Sequence, residues 1–206
     1  MFVNPFEDQK KEFLVPRDCE VVVVADLFAE DYLGGAELTT EALIKSSPFN
    51  VYKIHSKDVT MKTLESGYNK FWIFTNFAQM DLQLIPTIVS NIRYTVVEYD
   101  YKFCRYRSIE KHLSAEMQEC DCHNEMHGKL TSAFFHGATT VHYMSDAQMK
   151  RYHDRFPFLN EEGGSNQYVL SSCFSDEFFA IIKLLREQAE GKERKGWLVL
   201  NSPSWI

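Results

Sequence analysis

Four consecutive valines, Val21 to Val24, constrain this chain more than any other feature. A run so uniformly β-branched has no face suited to water, so it belongs in the middle of a parallel sheet that is covered on both sides. The run ends at Asp26 and is followed by a short acidic loop, the pair Gly34-Gly35 and a segment with Leu38, Ala42 and Leu43 at helical spacing. Strand, glycine corner and helix in succession place the corner at the carboxyl edge of the sheet, where the amino terminus of a helix presents free N–H groups and glycine lets a ligand approach the backbone. Taken alone, the pair reads first as a turn that needs positive φ, and neither GxGxxG nor GxxxxGK[ST] is present.

The same alternation continues. Val51–Ile54, Lys70–Phe74, Tyr94–Val97, Thr139–Met144 and Gln167–Leu170 read as further strands. Asp58–Ser66, Leu82–Asn91 (with Pro86 limiting its regularity), Gly128–Phe135 and Asp146–Phe156 read as helices, with Ser145 capping the last and Pro157 stopping it. The expectation is an α/β fold with a parallel sheet and helices on both faces. Residues 1–18 are expected to form an arm packed on the surface. Lys102–His123 is the least regular stretch and is read as either functional or mobile. Near the end, Ser175-Asp176 caps a helix over Glu177–Ala189 with a stripe of Phe178, Ile181, Ile182 and Leu185, and Trp197–Leu200 reads as another strand. This last portion is either an added strand of the same domain or the opening of a second domain.

Composition narrows the function. With 206 residues, 45% of them hydrophobic, one substantial core is expected, and a net charge of −7 without a lysine or arginine cluster argues against a nucleic-acid surface. No apolar stretch is long enough to span a bilayer and the first residues are too charged for a signal peptide, so a soluble cytoplasmic protein is expected. Five cysteines, an odd number, are expected to be reduced thiols. The sixteen phenylalanines and ten tyrosines are more than a nucleotide-binding sheet needs, so some are expected to line a pocket.

Polar residues gather where strands end. Glu98 and Asp100 lie two residues apart, so both side chains are expected on one face, as a base, as holders of sugar hydroxyls, or simply as a solvated strand end. Tyr101 follows them, Asn76 stands just past an earlier strand, and Arg105 and Arg107 are placed to pair with a phosphate or with those acids. Cys120, Cys122, His123 and His127 carry zinc-type donors, with His123 and His127 expected on one helix face. The Cys-x-Cys spacing is tighter than usual, and HNEMH departs from HExxH, so a free-thiol loop stays open beside the metal site.

Together VVVVAD, GGAE at Gly34–Glu37, WIFTN, VEYD and HYMSDAQMKRYHDRF followed by YVLSSCF resemble the amino-terminal half of GT-B glycosyltransferases of the large retaining family. The resemblance spans about residues 20–175. It implies a Rossmann-like domain at 19–173, with 174–206 as the linker helix and first strand of a second such domain. It further implies that the chain binds a carbohydrate acceptor and, with a second domain or polypeptide, a nucleotide-sugar donor, with no other cofactor. Carried over, Gly34, Gly35, Glu37, Asn76, Tyr101, Arg105 and Ser145 would serve binding, and Asp100 and Glu98 would stand where members often place a histidine near the reacting carbon. The groups that stabilise the departing nucleotide belong to the second domain in that family, so this chain alone is expected not to turn over. The alternatives are a non-catalytic binding module of the same fold and a metal-binding protein centred on Cys120–His127.

Overall fold

In the computed structural model, which describes residues 12–161, 163–193 and 195, six strands form a single all-parallel sheet. They are β1 (Val21–Ala25), β2 (Val51–His55), β3 (Phe71–Phe74), β4 (Arg93–Glu98), β5 (Thr140–Tyr143) and β6 (Asn166–Val169), in the order β2-β1-β3-β4-β5-β6. The described residues also form seven α-helices: α1 (Gly35–Ser46), α2 (Met61–Ser66), α3 (Ile85–Asn91), α4 (Ile109–Glu116), α5 (Met126–Gly137), α6 (Asp146–Arg155) and α7 (Asp176–Gln188). This is the expected Rossmann-like α/β architecture. All five residues of β1 are buried, as a central strand of that composition requires.

Alternation along β1 divides the interior into two layers. Val22 and Val24 face a large core with Trp72, Phe74, Tyr94 and Val96, closed by Leu64 of α2, Ile88 of α3, Phe134 of α5 and Tyr152 of α6. Val21, Val23 and Ala25 face a smaller cluster with Phe28, covered by Ile44 of α1. The large layer accounts for the aromatic excess. Tyr94 stacks on Phe134 at 4.7 Å, Phe135 stacks on Tyr152 at 5.1 Å, and all four side chains are sealed from solvent. These aromatics build core rather than the pocket lining the composition suggested.

Several boundaries differ from the sequence reading for local reasons. The segment read as one helix from Asp58 splits into a 3-10 turn at Ser56–Asp58 and α2, which begins at a Thr60–Thr63 capping box. Pro86 occupies the first turn of α3, where its missing N–H costs nothing, and a 3-10 turn at Leu82–Leu84 precedes it. The arm is not wholly superficial: Val15 is buried in the large core and its N–H donates to Ser66 Oγ at 2.9 Å. The rest of that arm, residues 1–11, and the strand expected at Trp197–Leu200 lie outside the described residues.

The chain divides into two compact units, the first ending at Cys173 and the second beginning at Phe174. Within the second, Ser175 Oγ accepts from Phe178 N–H to cap α7, and Phe174 stacks on Phe178 at 4.6 Å. No helix among the described residues is long and apolar enough to cross a membrane.

Candidate functional site

Strand order sets where a ligand meets this sheet. From β1 the chain moves out to β2, then returns across β1 to β3 and continues the other way, so the loops after β1 and β3 diverge at their carboxyl ends, the switch point at which open α/β sheets take ligands. Asp26 stands at that divergence, one residue past β1, and is 5% exposed. It draws four loops together: its carboxylate accepts from Ser56 Oγ after β2, from Ala78 N–H at 3.2 Å and Gln79 N–H at 3.1 Å after β3, and from Arg107 Nη1 at 3.4 Å after β4.

Arg107 is the second hub. Its Nε donates to Asp100 Oδ2 at 2.6 Å, its Nη2 to Asn76 Oδ1 at 2.7 Å and also to Asp100. The fixed fork of a guanidinium suits this many acceptors in one plane. Its own backbone sits in the left-handed region at φ 55°, an uncommon conformation for an arginine. Lys102 Nζ completes the group, 2.6 Å from Asp100 Oδ1 and 3.6 Å from Glu98 Oε2.

The two acids at the end of β4 have opposite fates. Glu98 is wholly enclosed, and its Oε1 accepts from Tyr152 Oη at 2.8 Å and Lys102 N–H at 3.0 Å while Oε2 has no hydrogen-bond partner. Burial, only partly offset by Lys102, pushes its carboxyl up to about 8. For Asp100 burial also works against the charge, but Lys102 and Arg107 outweigh it and hold the carboxyl below its usual range. Two cations, Lys102 and Arg107, face two carboxylates, Asp26 and Asp100, while burial favours the protonated form of Glu98.

The glycine corner lies at the start of α1. Gly34 is the N-cap, with φ −96° and no side chain to bond the first N–H groups, and Gly35 is exposed. Neither has positive φ, so the turn explanation gives way to a steric one: a Cβ on Gly34 would lie 2.3 Å from Glu37 Oε2 and 2.8 Å from the Tyr32 ring. Glu37 is buried beneath the corner. One turn on, Thr40 Oγ1 and Tyr99 Oη are 2.9 Å apart, which ties α1 to the residue after β4.

The remaining sequence-predicted residues have other surroundings. Asn76 joins the junction through Arg107, as described. Tyr101 Oη accepts from Arg151 Nη1 at 3.0 Å, and its ring stacks on Tyr152. Ser145 caps α6 by accepting from Gln148 N–H, and the buried Gln148 donates to the Asp100 carbonyl at 2.7 Å. Gln148 and Tyr152, in the stretch that carried part of the resemblance, thus brace the end of β4 through the Asp100 carbonyl and the Glu98 carboxyl. Arg105 turns away from the junction and pairs with Glu125 and Glu116.

That side of the loop holds a second cluster. Cys104, His112, Cys120 and Cys122 are all buried, with their ligating atoms within 4.8 Å of one another. His112 Nδ1 is 3.3 Å from Cys122 Sγ and 3.6 Å from Cys104 Sγ. Of the residues expected to bind metal, Cys120 and Cys122 belong to this group, whereas His123 and His127 do not. His123 lies in a 3-10 turn at Cys122–Asn124 and His127 in α5, on separate elements rather than one helix face; His127 sits with Glu125 and Cys122 in a less buried trio. Cys104 and His112 escaped the sequence reading because they lie sixteen and eight residues before Cys120, outside the short window from Cys120 to His127. The missed signal was α4 itself, which the expected irregularity of Lys102–His123 concealed.

No protein-family model matches this chain, and neither a curated protein nor a solved structure matches it.

Proposed function

We propose that the crevice at the β1/β3 divergence binds a neutral carbohydrate, as the acceptor-side domain of a glycosyltransferase that a second domain or polypeptide completes with the nucleotide-sugar site. The observation that carries this reading is the glycine corner: an exposed, uncapped helix start above a buried carboxylate, Glu37, at the carboxyl edge of a sheet whose order reverses beside it. Free N–H groups donate to a hydroxyl oxygen, and a carboxylate accepts from a hydroxyl. The same carboxylate in the first turn repels a phosphate, and the nearby cations, Lys102 and Arg107, are already engaged by acids. Sugar hydroxyls fit this set of groups better than a nucleotide does. On this reading the protein works in the cytoplasm, where its thiols stay reduced.

A non-catalytic binding module is the second reading, and the state of the acids favours it. Glu98 is enclosed, and Asp26 and Asp100 are saturated with donors, so none is a free base at the junction. Amide NMR titration of the full chain with a panel of mono- and disaccharides, and separately with nucleoside diphosphates, tests the binding claim. Sugars are expected to move the resonances of Gly34, Gly35, Glu37 and Asn76, and Gly34→Val to abolish that response. Shifts there with nucleotides only, or with no sugar in the panel, would overturn it.

A further inference from the structure

We propose that Cys104, His112, Cys120 and Cys122 bind one zinc(II) ion tetrahedrally through three thiolate sulfurs and the imidazole Nδ1, and that this ion is what holds the segment between β4 and α5 in shape. The proposal is independent of the carbohydrate reading and rests on residues the crevice does not use.

The spacing of the donor atoms fits such a site. Tetrahedral zinc with ordinary bond lengths puts two sulfurs about 3.8 Å apart and a sulfur and a nitrogen about 3.5 Å apart. The two measured separations from His112 Nδ1 are 3.3 and 3.6 Å, and all four ligating atoms share a sphere in which no pair exceeds 4.8 Å. Three cysteines and one histidine with no carboxylate among them are a closed set, suited to a structural ion rather than a reactive one. The sequence arrangement, Cys-x7-His-x7-Cys-x-Cys, places α4 between the first sulfur and the last two, so one ion ties together both ends of the segment and its central helix.

The packing of α4 supplies the second argument. A short surface helix normally docks through a buried apolar stripe. In α4 the single buried residue is His112; Leu113 is half exposed, and Met117, which ends the helix in a left-handed conformation, is 86% exposed. With one buried imidazole and only the partly buried Ile109 packed on the core, this eight-residue helix has little hydrophobic anchoring, and a metal ion adds to it. Charge is also provided for. Loading the ion forms three Zn–S bonds and one Zn–N bond and releases three protons to water, leaving one net negative charge, and the Arg105 guanidinium, paired with Glu125 and Glu116, is near enough to Cys122 to attract it.

On the other side the backbone is held from outside. A Cβ on Gly128 of α5 would lie 2.2 Å from the Cys122 carbonyl oxygen, so only glycine lets α5 seat the turn that carries Cys122.

The test uses the full chain, purified without added chelator and analysed for metal, then stripped and titrated with Co(II) as an optical probe. One zinc per chain and an intense tetrahedral thiolate–cobalt spectrum, reversed by zinc, are expected; less than about a tenth of an equivalent of zinc together with only a weak octahedral cobalt spectrum would overturn the proposal. His112→Ala and Cys104→Ser are expected to lose the cobalt spectrum while His127→Ala retains it. The converse, loss with His127→Ala and retention with His112→Ala, would reject this ligand set. Should the cysteine or histidine variants not fold, the wild-type titration decides alone, with added hydrogen-exchange protection over residues 109–116 on zinc binding as the expected sign and unchanged protection as the contrary one.

Discussion

The segment between β4 and α5 serves two polar clusters built on opposite chemistry, and the contrast between them explains much of the molecule. At one, Asp26, Asp100, Lys102 and Arg107 satisfy one another, and the cluster is complete with protein atoms alone. At the other, three thiols and an imidazole converge with few donors to share, and burial pushes the Cys120 thiol up to about 12. Buried charges persist where opposite charges and hydrogen bonds compensate them. Convergent soft ligands with no cation among them are the donor set that the proposed ion would use. The lesson is that burial of polar groups has to be read together with what they face, since the same degree of enclosure means closure in one cluster and demand in the other.

Removing the hub of the first cluster should have the largest effect. Asp26→Ala leaves Arg107 Nη1, Ser56 and two backbone N–H groups without the acceptor Asp26 provides, and an expected loss of about 3–5 kcal/mol in urea unfolding follows from removing a buried carboxylate from its donors. Hydrogen exchange should rise over residues 76–79 while 109–116 keep their protection if the two clusters are independent; equal loss at both would show them to be one unit.

Next is the proton on Glu98. Its folded value near 8 lies above the ordinary 4.5, so the native state holds the proton more tightly than the unfolded chain does. The stability it contributes is therefore complete below about pH 4.5 and is lost as pH rises through about 8. Glu98→Gln should remove this slope, so that the variant gains on the wild type by on the order of 2–4 kcal/mol between pH 5 and 8. Asp100 acts in the opposite sense, its contribution fading as pH falls through its depressed folded value, so the comparison is best made above pH 5. A parallel pair of stability curves would mean that Glu98 is ionised.

Gly128→Ala probes the second cluster without touching a ligand. The methyl group meets backbone rather than a side chain that can swing away, and an expected cost of about 1–3 kcal/mol should come with weaker cobalt binding. Smallest is Tyr152→Phe, which deletes the hydrogen bond to Glu98 and the one accepted from Lys102 N–H, a donor that keeps Glu98 Oε1, and should cost about 1 kcal/mol in thermal or urea unfolding. A cost above that of Asp26→Ala would reverse the ranking and make the Glu98 end of the network its centre.

Local pattern alone decided a good deal. The valine run, the turn signals and the alternation of periods specified the parallel sheet and nearly all its strands, because β-branched runs and capped helices are short-range consequences of sterics and hydrogen bonding. Ser145 and Ser175 were legible as caps for the same reason. The sites were not legible in this way. Asp26 and Arg107 are 81 residues apart and became partners only when strand order brought the loops after β1 and β4 to one edge. Cys104 and His112 joined Cys120 and Cys122 only once α4 folded between them, whereas His123 and His127, close in sequence, were separated by a change of element. Secondary structure follows from neighbours along the chain, but a site needs donors and charges at fixed distances in space, and those distances are set by the tertiary fold.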